Sequence, residues 1–440
     1  MDEFSCGRLQ KAKKLTLILA LAILSIFIYF VMIDKTNIVI GLTNIVTSPS
    51  TLITDFLVIG GLGATFLNAF SLFLFNFLLV KSFKLKINGL VLAAFFTVFG
   101  FSFFGKNIFN VLPIYLGGIM YAKFEHIDFK EILPTIMFTS ALAPFISAMA
   151  FSSGDSESAF LVAMALGIFI GFIATPLAKK MVSFHEGFNL YNLGFTGGLI
   201  GAVITSILKA YNFNIEPQKL ISTNYHIVLL ITCSMVFFLL ILVGFYINKN
   251  SFKGYKKLIT STGLKSDFVE IHGYGLSFIN MGINGFISIG FILLLGETLN
   301  GPFLAGILTI VGFSAYGKHP LNITPILLGV WLAGVTTHVD SFVLVLSALF
   351  GTAMAPISGV YGPFWGILAG WLHMSVVRNI GVVHGGLNLY NNGFSAGIVA
   401  GVLLPIIRVF TNRKNNLKDQ YFLKRQELYK NLYVEDEEEE

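Results

Sequence analysis

Charged residues are scarce in this sequence of 440 residues: 12% are Asp, Glu, Lys or Arg, whereas 55% are hydrophobic. Soluble globular domains carry about 25% charged residues, so the composition excludes a chain built mainly of soluble domains. Nearly all of the sequence falls into apolar runs, and a helix needs about 20 such residues to cross a bilayer. The sequence therefore predicts an all-α integral membrane protein, with the lipid bilayer as its first partner.

Cysteine is nearly absent as well, because Cys6 and Cys233 are the only two and lie far apart. This spacing indicates neither a disulfide framework nor a cysteine metal cluster. The net charge of +6 does not indicate a nucleic-acid partner, since the basic residues lie in short loops between apolar runs. Their placement is informative about orientation in the membrane instead.

A polar motif occurs twice in this apolar chain, at residues 185–198 and 384–397. Nine of its fourteen positions are identical, including a histidine, two asparagines and a tyrosine. Shared hydrophobicity cannot explain identical polar residues, so the chain contains an internal duplication. Residues 54–68 match residues 266–280 at an offset of 212, with seven of fifteen positions identical. The motif itself returns at an offset of 199, which indicates about thirteen extra residues near 152–158 of the first copy.

The duplication divides the chain into two repeats of about seven hydrophobic segments each. We interpret residues 1–14 as a cytoplasmic N-terminus, with a first retained span at about 15–33, and residues 411–440 as a charged cytoplasmic tail. Membrane repeat 1 covers 15–210, an external connection 211–225, and membrane repeat 2 covers 226–410.

Most of the 29 lysines and arginines lie in the two termini and in loops that alternating spans place on one side. By the positive-inside rule that side is the cytoplasm. The first repeat then begins inside and ends outside, so the sequence predicts two inverted-topology repeats in the cell membrane. Such repeats are typical of channels and secondary transporters, which bind their solute near the midplane. Lys106 and Lys318 could not be assigned to either side.

Two short apolar segments follow a longer apolar run in each repeat, at about 89–122 and 301–338. They are two thin spans, one re-entrant hairpin or an ordinary short connection outside the lipid. A hairpin would line the solute pathway because its backbone needs polar partners. The Gly-Lys pairs between the segments, at 105–106 and 317–318, are followed by Asn107 and His319. A phosphate-binding loop would have Ser or Thr there, so nucleotide binding is rejected.

If the polar motif forms a helix, its polar residues share one face and its glycines the other. A glycine face allows close helix packing. The polar face is either a bridge between helices or part of the solute pathway. The predicted pathway residues on it are Asn189, Tyr191 and Asn192 in the first repeat and Asn388, Tyr390 and Asn391 in the second.

Asn68 and Asn280 form another matched pair, and each follows glycines that weaken its helix, at 60–63 and 273–275. We place both in the predicted pathway. Asp55 and Asp267 precede the same helices and are interpreted as N-terminal caps. Glu270 has no acidic counterpart in the first repeat and is a candidate for proton or cation coupling.

His185 and His384 are further candidates for coupling, because histidine titrates near neutral pH. Neither has a second histidine or a duplicated carboxylate at a spacing that suits a metal, since Gly385 replaces Glu186 in the second copy. We therefore predict no metal, no cofactor and no catalytic residues.

The duplicated unit with its Asn-Leu-Tyr-Asn-x-Gly-Phe motifs resembles the membrane family known as domain of unknown function 1576, over nearly the whole chain. More distantly, residues 275–285 and 386–391 are similar in style and order to the paired motifs of urea transporters. That resemblance implies two inverted halves around a narrow pore.

The sequence thus predicts a transporter or channel for a small polar, neutral solute, because an amide offers both donors and an acceptor without a buried charge. A proton- or sodium-coupled transporter of a small organic solute is the alternative. Two further classes rank lower, namely a membrane sensor or scaffold and a membrane-embedded enzyme. The hypothesis is compatible with a homo-oligomer.

Overall fold

The computed structural model describes residues 37–152, 157–213 and 217–411, and within these ranges all regular elements are helices. The expected N-terminal segment 1–14, the first span at 15–33 and nearly all of the tail 411–440 lie outside the described residues. The described residues up to Ala400 belong to one compact unit, and those from Gly401 on belong to a second unit.

The helices of the first repeat range from four to 29 residues in length. They are α1 (Ile38–Thr47), α2 (Phe56–Ile59), α3 (Gly61–Ser82), α4 (Gly89–Phe101), α5 (Ile108–Phe124), α6 (Phe129–Thr139), α7 (Ala143–Phe151), α8 (Glu157–His185) and α9 (Asn192–Ala210). A 3₁₀ turn at Ser140–Leu142 joins α6 to α7.

The second repeat begins with a long helix that has no counterpart among the described helices of the first repeat, and it then continues with a similar series. Its helices are α10 (His226–Ile247), α11 (Tyr255–Ile259), α12 (Phe268–Leu294), α13 (Gly301–Phe313), α14 (Pro320–Thr336), α15 (Ser341–Gly351), α16 (Ala355–Tyr361), α17 (Pro363–Ile380) and α18 (Asn391–Thr411). A 3₁₀ turn at Thr352–Met354 joins α15 to α16. Helices α4, α5 and α6 coincide with α13, α14 and α15 at both ends after the offset of 212. The duplication seen in the sequence is therefore also a duplication of structure.

Eight helical segments of the described residues are long and apolar enough to cross a membrane. They are Gly61–Ser82, Phe129–Phe151, Glu157–His185, Asn192–Ala210, His226–Ile247, Phe268–Leu294, Ser341–Tyr361 and Asn391–Thr411. Together with the composition, these segments make the chain a multipass helical membrane protein.

One long helix of each repeat is interrupted by glycine. Helix α2 ends before Gly60, and α3 begins at Gly61, whose φ of +75° belongs to the left-handed region. Its counterpart Gly273, with φ +83°, breaks α12. Glycine adopts such angles without the steric cost that a Cβ would bring, so the predicted weak points of both helices are confirmed.

The two aspartates that precede these helices are N-terminal caps, as predicted. Asp55 Oδ1 accepts a hydrogen bond of 3.0 Å from Leu57 N, and Asp267 Oδ1 accepts one of 3.1 Å from Glu270 N. Burial raises the pKa of the Asp267 carboxyl above its usual range, although its hydrogen bonds from backbone N–H groups oppose the rise.

The same two carboxylates connect the repeats to each other. Asp55 Oδ2 accepts from Gly301 N at 3.1 Å, and Asp267 Oδ2 accepts from Gly89 N at 2.8 Å. Gly301 is the counterpart of Gly89 at the offset of 212. The contact is therefore made twice, with the roles of the repeats exchanged, which is the pattern that a twofold relation produces.

The two short helices of each repeat form a hairpin. Helix α4 starts just after the C-terminal end of α3, and at the other end of the hairpin Phe129 packs on Phe83, with ring centroids 5.3 Å apart. In the second repeat, Ser341 Oγ donates to Glu297, just past the end of α12. Each hairpin thus begins and ends at the C-terminal end of the long helix that precedes it.

Helices α9 and α18 cross at their first turns through glycine. A Cβ placed on Gly194 would lie 2.8 Å from Gly393 Cα, and a Cβ placed on Gly393 would lie 2.8 Å from Gly194 Cα. Phe195 stacks on Phe394, with centroids 5.6 Å apart, directly beside this crossing. The predicted glycine face is therefore a packing surface, and it brings the two copies of the polar motif together.

Candidate functional site

The tip of each hairpin is held by an asparagine of the preceding long helix. Asn68 Nδ2 donates to the carbonyls of Ser102 and Lys106, at 2.8 and 2.9 Å. Asn280 Nδ2 donates to the carbonyls of Ser314 and Lys318, both at 2.7 Å. Sequence reasoning selected both asparagines as pathway residues, and the structure places both at the tips, with their amide donors engaged by backbone.

Lys106, at the tip of the first hairpin, is fully buried. Its Nζ lies 3.4 Å from Tyr390 Oη, a residue of the opposite repeat. The same Nζ lies 5.3 Å from the ring centroid of Phe101 and 5.3 Å from that of Tyr390. Aromatic faces attract a cation but do not neutralise it. Neither this lysine nor Lys318 takes part in an ion pair found in the described ranges.

Lys318 occupies the same position at the tip of the second hairpin and is also fully buried. Its Nζ donates to the hydroxyl of Tyr191, in the opposite repeat, and to Thr352 Oγ1 at 2.7 Å. It lies 4.4 Å from the Tyr191 ring centroid and 5.5 Å from that of Phe313. Tyr191 is the counterpart of Tyr390, so the two lysine–tyrosine pairs are exchanged between the repeats.

The polar motif reaches these lysines as an unwound segment. Leu190 N donates to the carbonyl of Ala353 at 2.9 Å, and Leu389 N donates to that of Ala141 at 3.2 Å. Both acceptors lie in the 3₁₀ turns that interrupt long helical segments. The side chain of Leu389 also packs on Gly105, whose added Cβ would lie only 2.4 Å from Leu389 Cδ2.

The prediction that Asn189 and Asn388 lie on a helical face is wrong. Helix α9 begins at Asn192 and α18 at Asn391. Asn189 Oδ1 accepts from Tyr191 N at 3.0 Å, and Asn388 Oδ1 accepts from Tyr390 N at 2.9 Å. Such side-chain-to-backbone bonds offer the chain an alternative to helix. They turn each motif so that its tyrosine points to the lysine of the opposite repeat.

Two composite sites result. We call the group of Lys106, Tyr390 and Asn388 site 1, and the group of Lys318, Tyr191, Thr352 and Asn189 site 2. Each combines a hairpin tip of one repeat with the unwound motif of the other. Tyr191 and Tyr390 both flank the glycine crossing, because a Cβ on Gly393 or Gly194 would lie 3.3 Å from the tyrosine Cβ of the other repeat.

The two sites differ in how well their hydrogen-bonding groups are satisfied. Asn189 Nδ2 donates to the carbonyl of Gly393 at 2.9 Å, whereas Asn388 Nδ2 is buried without a partner in the described part of the chain. Lys318 has two hydroxyl acceptors, whereas Lys106 has one at the longer distance of 3.4 Å. Both groups with fewer hydrogen-bond partners, Asn388 Nδ2 and Lys106 Nζ, belong to site 1.

The two histidines of the motif bind its second asparagines. His185 Nε2 lies 3.0 Å from Asn192 Oδ1, and Asn192 Nδ2 donates to the carbonyl of Ala178 at 3.0 Å. His384 contacts Asn391 Oδ1 through Nδ1 and the carbonyl of Gly198, at 2.9 Å, through Nε2. These pairs fix the starts of α9 and α18, and a role in coupling stays a prediction.

Glu270 lies apart from both sites. It sits in the first turn of α12, where its carboxylate pairs with Lys86 Nζ at 3.4 Å and both side chains are well exposed. Its role in coupling also stays a prediction.

A separate cavity of about 480 Å³ opens at the glycine break between α2 and α3. Residues of α1, the break itself and the segment 221–225 line it, among them Asn44, Gly60 and Ser222. The interruption of the helix therefore has a cavity beside it.

Sequence reasoning missed Lys106 and Lys318. The signal was present, because a Gly-Lys pair recurs at the same offset inside apolar sequence, and an ionisable residue within a membrane segment is a functional candidate. Sequence reasoning treated these lysines only as basic residues of unassigned side and as part of an unsuitable phosphate-binding loop. Nothing in the local sequence shows that the opposite repeat buries both lysines.

The composition and the eight long apolar segments define the class, a multipass helical membrane protein. The model of a family described as protein of unknown function (DUF1576) matches residues 34–210 and 247–409. The match covers most of both repeats, and the chain belongs to this family. No curated protein and no solved structure matches the chain, so these comparisons give no support to the resemblance to urea transporters.

Proposed function

We propose that the protein is a transporter or channel for a small polar solute, with the pathway between two repeats that are inverted in the cell membrane. The observation that carries the proposal is the pair of composite sites. At each one, a hairpin tip and an unwound segment bring buried polar groups together. Broken helices at a repeat interface are where secondary transporters bind their solutes.

The course of the long helices supports the inversion. The Asp267–Gly89 bond brings the start of α12 to the region just past the end of α3. The Asp55–Gly301 bond brings the region before α3 to the region just past the end of α12. A 22-residue helix such as α3 is about 33 Å long, enough to cross the hydrocarbon core. Helices α3 and α12 therefore run in opposite directions, as inverted repeats require.

The basic loops support the orientation. Lys86 pairs with Glu270 at the start of α12, and a Cβ on Gly187 would lie 3.1 Å from Lys265 Cε. These contacts gather positively charged loops at the end where α3 finishes and α12 begins. The positive-inside rule makes this end cytoplasmic, in line with the proposed cytoplasmic termini.

In this orientation, the two hairpins enter the membrane from opposite sides. The α4–α5 hairpin enters from the cytoplasmic end, the α13–α14 hairpin from the other, and their tips meet the polar motifs beside the glycine crossing. If a twofold axis in the membrane plane passes through that crossing, both composite sites lie near the midplane. Irregular backbone at this depth needs protein or a water-filled pathway around it.

Cysteine labelling tests the inversion at two equivalent positions. Ser82 and Leu294 occupy the last residues of α3 and α12 and are both exposed. In a variant without Cys6 and Cys233, we expect Ser82→Cys to react with an impermeant maleimide only from the cytoplasmic side, and Leu294→Cys only from the other. Reaction of both from the same side would show that the repeats are parallel.

Uptake into liposomes tests transport itself. We expect the purified protein to accelerate entry of at least one solute from a panel of small polar compounds at least tenfold over empty liposomes.

Imposed proton and sodium gradients separate passive entry from the coupled alternative, in which Glu270→Gln removes the dependence on the gradient. Asn192→Ala and Asn391→Ala should reduce uptake, with the exposed Asn379→Ala as the matched control. Folded protein that moves no solute, yet converts one chemically, would favour the membrane-embedded enzyme.

A further inference from the structure

We propose that the solute is a small monovalent anion and that the ammonium of Lys106, in site 1, binds it. This inference rests on the proposed transport function and specifies its substrate class. It departs from the neutral solute expected from the sequence, because that expectation assumed that the membrane interior holds little charge. The structure places two lysines there.

The first argument is the lack of a counter-charge. Lys106 is fully buried, and its partners are a phenol hydroxyl and two aromatic rings. Removing an ammonium from water is costly unless a charge of opposite sign compensates it. Rings and a hydroxyl compensate only part of that cost. A bound anion would supply the missing charge at the moment when the site is filled.

The second argument is the kind of group that is left unsatisfied. An ammonium has three N–H donors, and Lys106 Nζ has one acceptor in the described part of the chain, Tyr390 Oη at 3.4 Å. The buried Nδ2 of Asn388, in the same site, has no acceptor there. The unused hydrogen-bonding groups of Lys106 and of Asn388, which lies two residues before its partner Tyr390, are therefore donors, and donors suit an anion and not a cation.

The third argument is the comparison with site 2. The same lysine, tyrosine and asparagine positions occur there, yet Thr352 Oγ1 accepts from Lys318 at 2.7 Å and Gly393 O accepts from Asn189 at 2.9 Å. Site 2 shows that the protein can satisfy these donors with its own atoms. Because site 1 leaves them free, we assign primary anion binding to site 1 and a secondary role to site 2.

The size and charge of the anion follow from the surroundings. Site 1 has one ammonium, which balances one negative charge, and the Phe101 and Tyr390 rings pack with centroids 4.8 Å apart beside it. Lys106 and Asn388 are both sealed from the surface, so the anion enters only when the hairpin tip and the motif separate. Small monoanions such as formate, acetate and nitrate fit this description, whereas bulky or divalent anions do not.

The test compares Lys106→Met, Lys318→Met and Lys81→Met with the unchanged protein. Methionine keeps the length of the side chain without its charge, and the exposed Lys81 provides a control with the same change in net charge. Liposome uptake is measured for radiolabelled formate, acetate and nitrate and for the neutral solutes urea and glycerol. Binding is measured in detergent as the rise in unfolding temperature with increasing anion concentration.

We expect saturable stabilisation and uptake of at least one anion. Lys106→Met should lower that uptake at least tenfold and remove the stabilisation, Lys318→Met should have a smaller effect, and Lys81→Met none. Without anion, Lys106→Met should unfold at the same or a higher temperature, because a buried charge is replaced by an apolar group. A purely structural lysine would give a lower unfolding temperature instead.

The negative results of this test distinguish failure of the anion assignment from failure of the transport function. Uptake of urea or glycerol that is unchanged in Lys106→Met, with no anion binding, would overturn the anion assignment and leave the transport function intact. Saturable anion binding that depends on Lys106, without uptake of any solute, would support the site and contradict transport. If Lys106→Met does not fold, unchanged protein that no anion stabilises would overturn the inference.

Discussion

Asn280→Ala is expected to destabilise the protein by about 2–5 kcal/mol. The substitution removes the amide that binds the carbonyls of Ser314 and Lys318 at the tip of the second hairpin. Each buried polar group left without a partner costs about 1–3 kcal/mol. The measurement is the thermal unfolding of purified protein in detergent.

Two further substitutions separate this structural role from contact with the solute. Asn280→Asp keeps the shape of the side chain but replaces its donor with an acceptor, so it should be at least as destabilising as Asn280→Ala. Asn68→Ala, at the first hairpin, should cost about as much, whereas the exposed Asn224→Ala should change little. Normal stability of Asn280→Ala with impaired uptake would show instead that this asparagine serves the pathway directly.

The sequence was most informative about features that depend on neighbouring residues. Capping by Asp55 and Asp267 follows from a carboxylate placed before a helix, and the breaks at Gly61 and Gly273 follow from the conformational freedom of glycine. The duplication also made the segments of the second repeat predictable from those of the first. These predictions are confirmed.

Features that depend on distant residues were harder to predict. A helical wheel grouped Asn189 with Asn192, but Asn189 instead binds the backbone of Tyr191 and the carbonyl of Gly393 in the opposite repeat. The choice between thin spans and a hairpin depended on contacts such as that of Phe83 with Phe129. The burial of Lys106 likewise depends on Tyr390, which is 284 residues away in the chain.

The two exchanged contacts have different physical functions. The aspartate contacts bind the start of the glycine-broken helix of one repeat to the hairpin of the other through backbone N–H groups, and this connection is fixed. The lysine contacts join a hairpin tip to an unwound motif through long side chains, and site 1 satisfies them poorly. We therefore expect the aspartate contacts to maintain the fold and the lysine contacts to separate when the pathway opens.

Asp55→Ala tests the fixed connection and should have the largest effect on stability. The Asp55 carboxylate is fully buried and accepts from Leu57 N at 3.0 Å and from Ser222 N and Gly301 N, both at 3.1 Å. Its loss leaves three N–H groups without a partner, so we expect a cost of about 3–9 kcal/mol, since each such group contributes about 1–3 kcal/mol. Unfolding temperatures in detergent measure the loss.

Asp267→Ala is the matched control, because it removes the equivalent carboxylate of the second repeat. Asp267 is only partly buried, so water can satisfy the N–H groups of Gly89 and Glu270 once the carboxylate is gone. We expect a cost of about 1 kcal/mol, the usual value for an N-terminal cap. Asp55→Asn keeps one acceptor oxygen and should fall between the two alanine variants. Equal losses in both alanine variants would show that burial of the Asp55 contact between the repeats adds nothing to stability beyond capping.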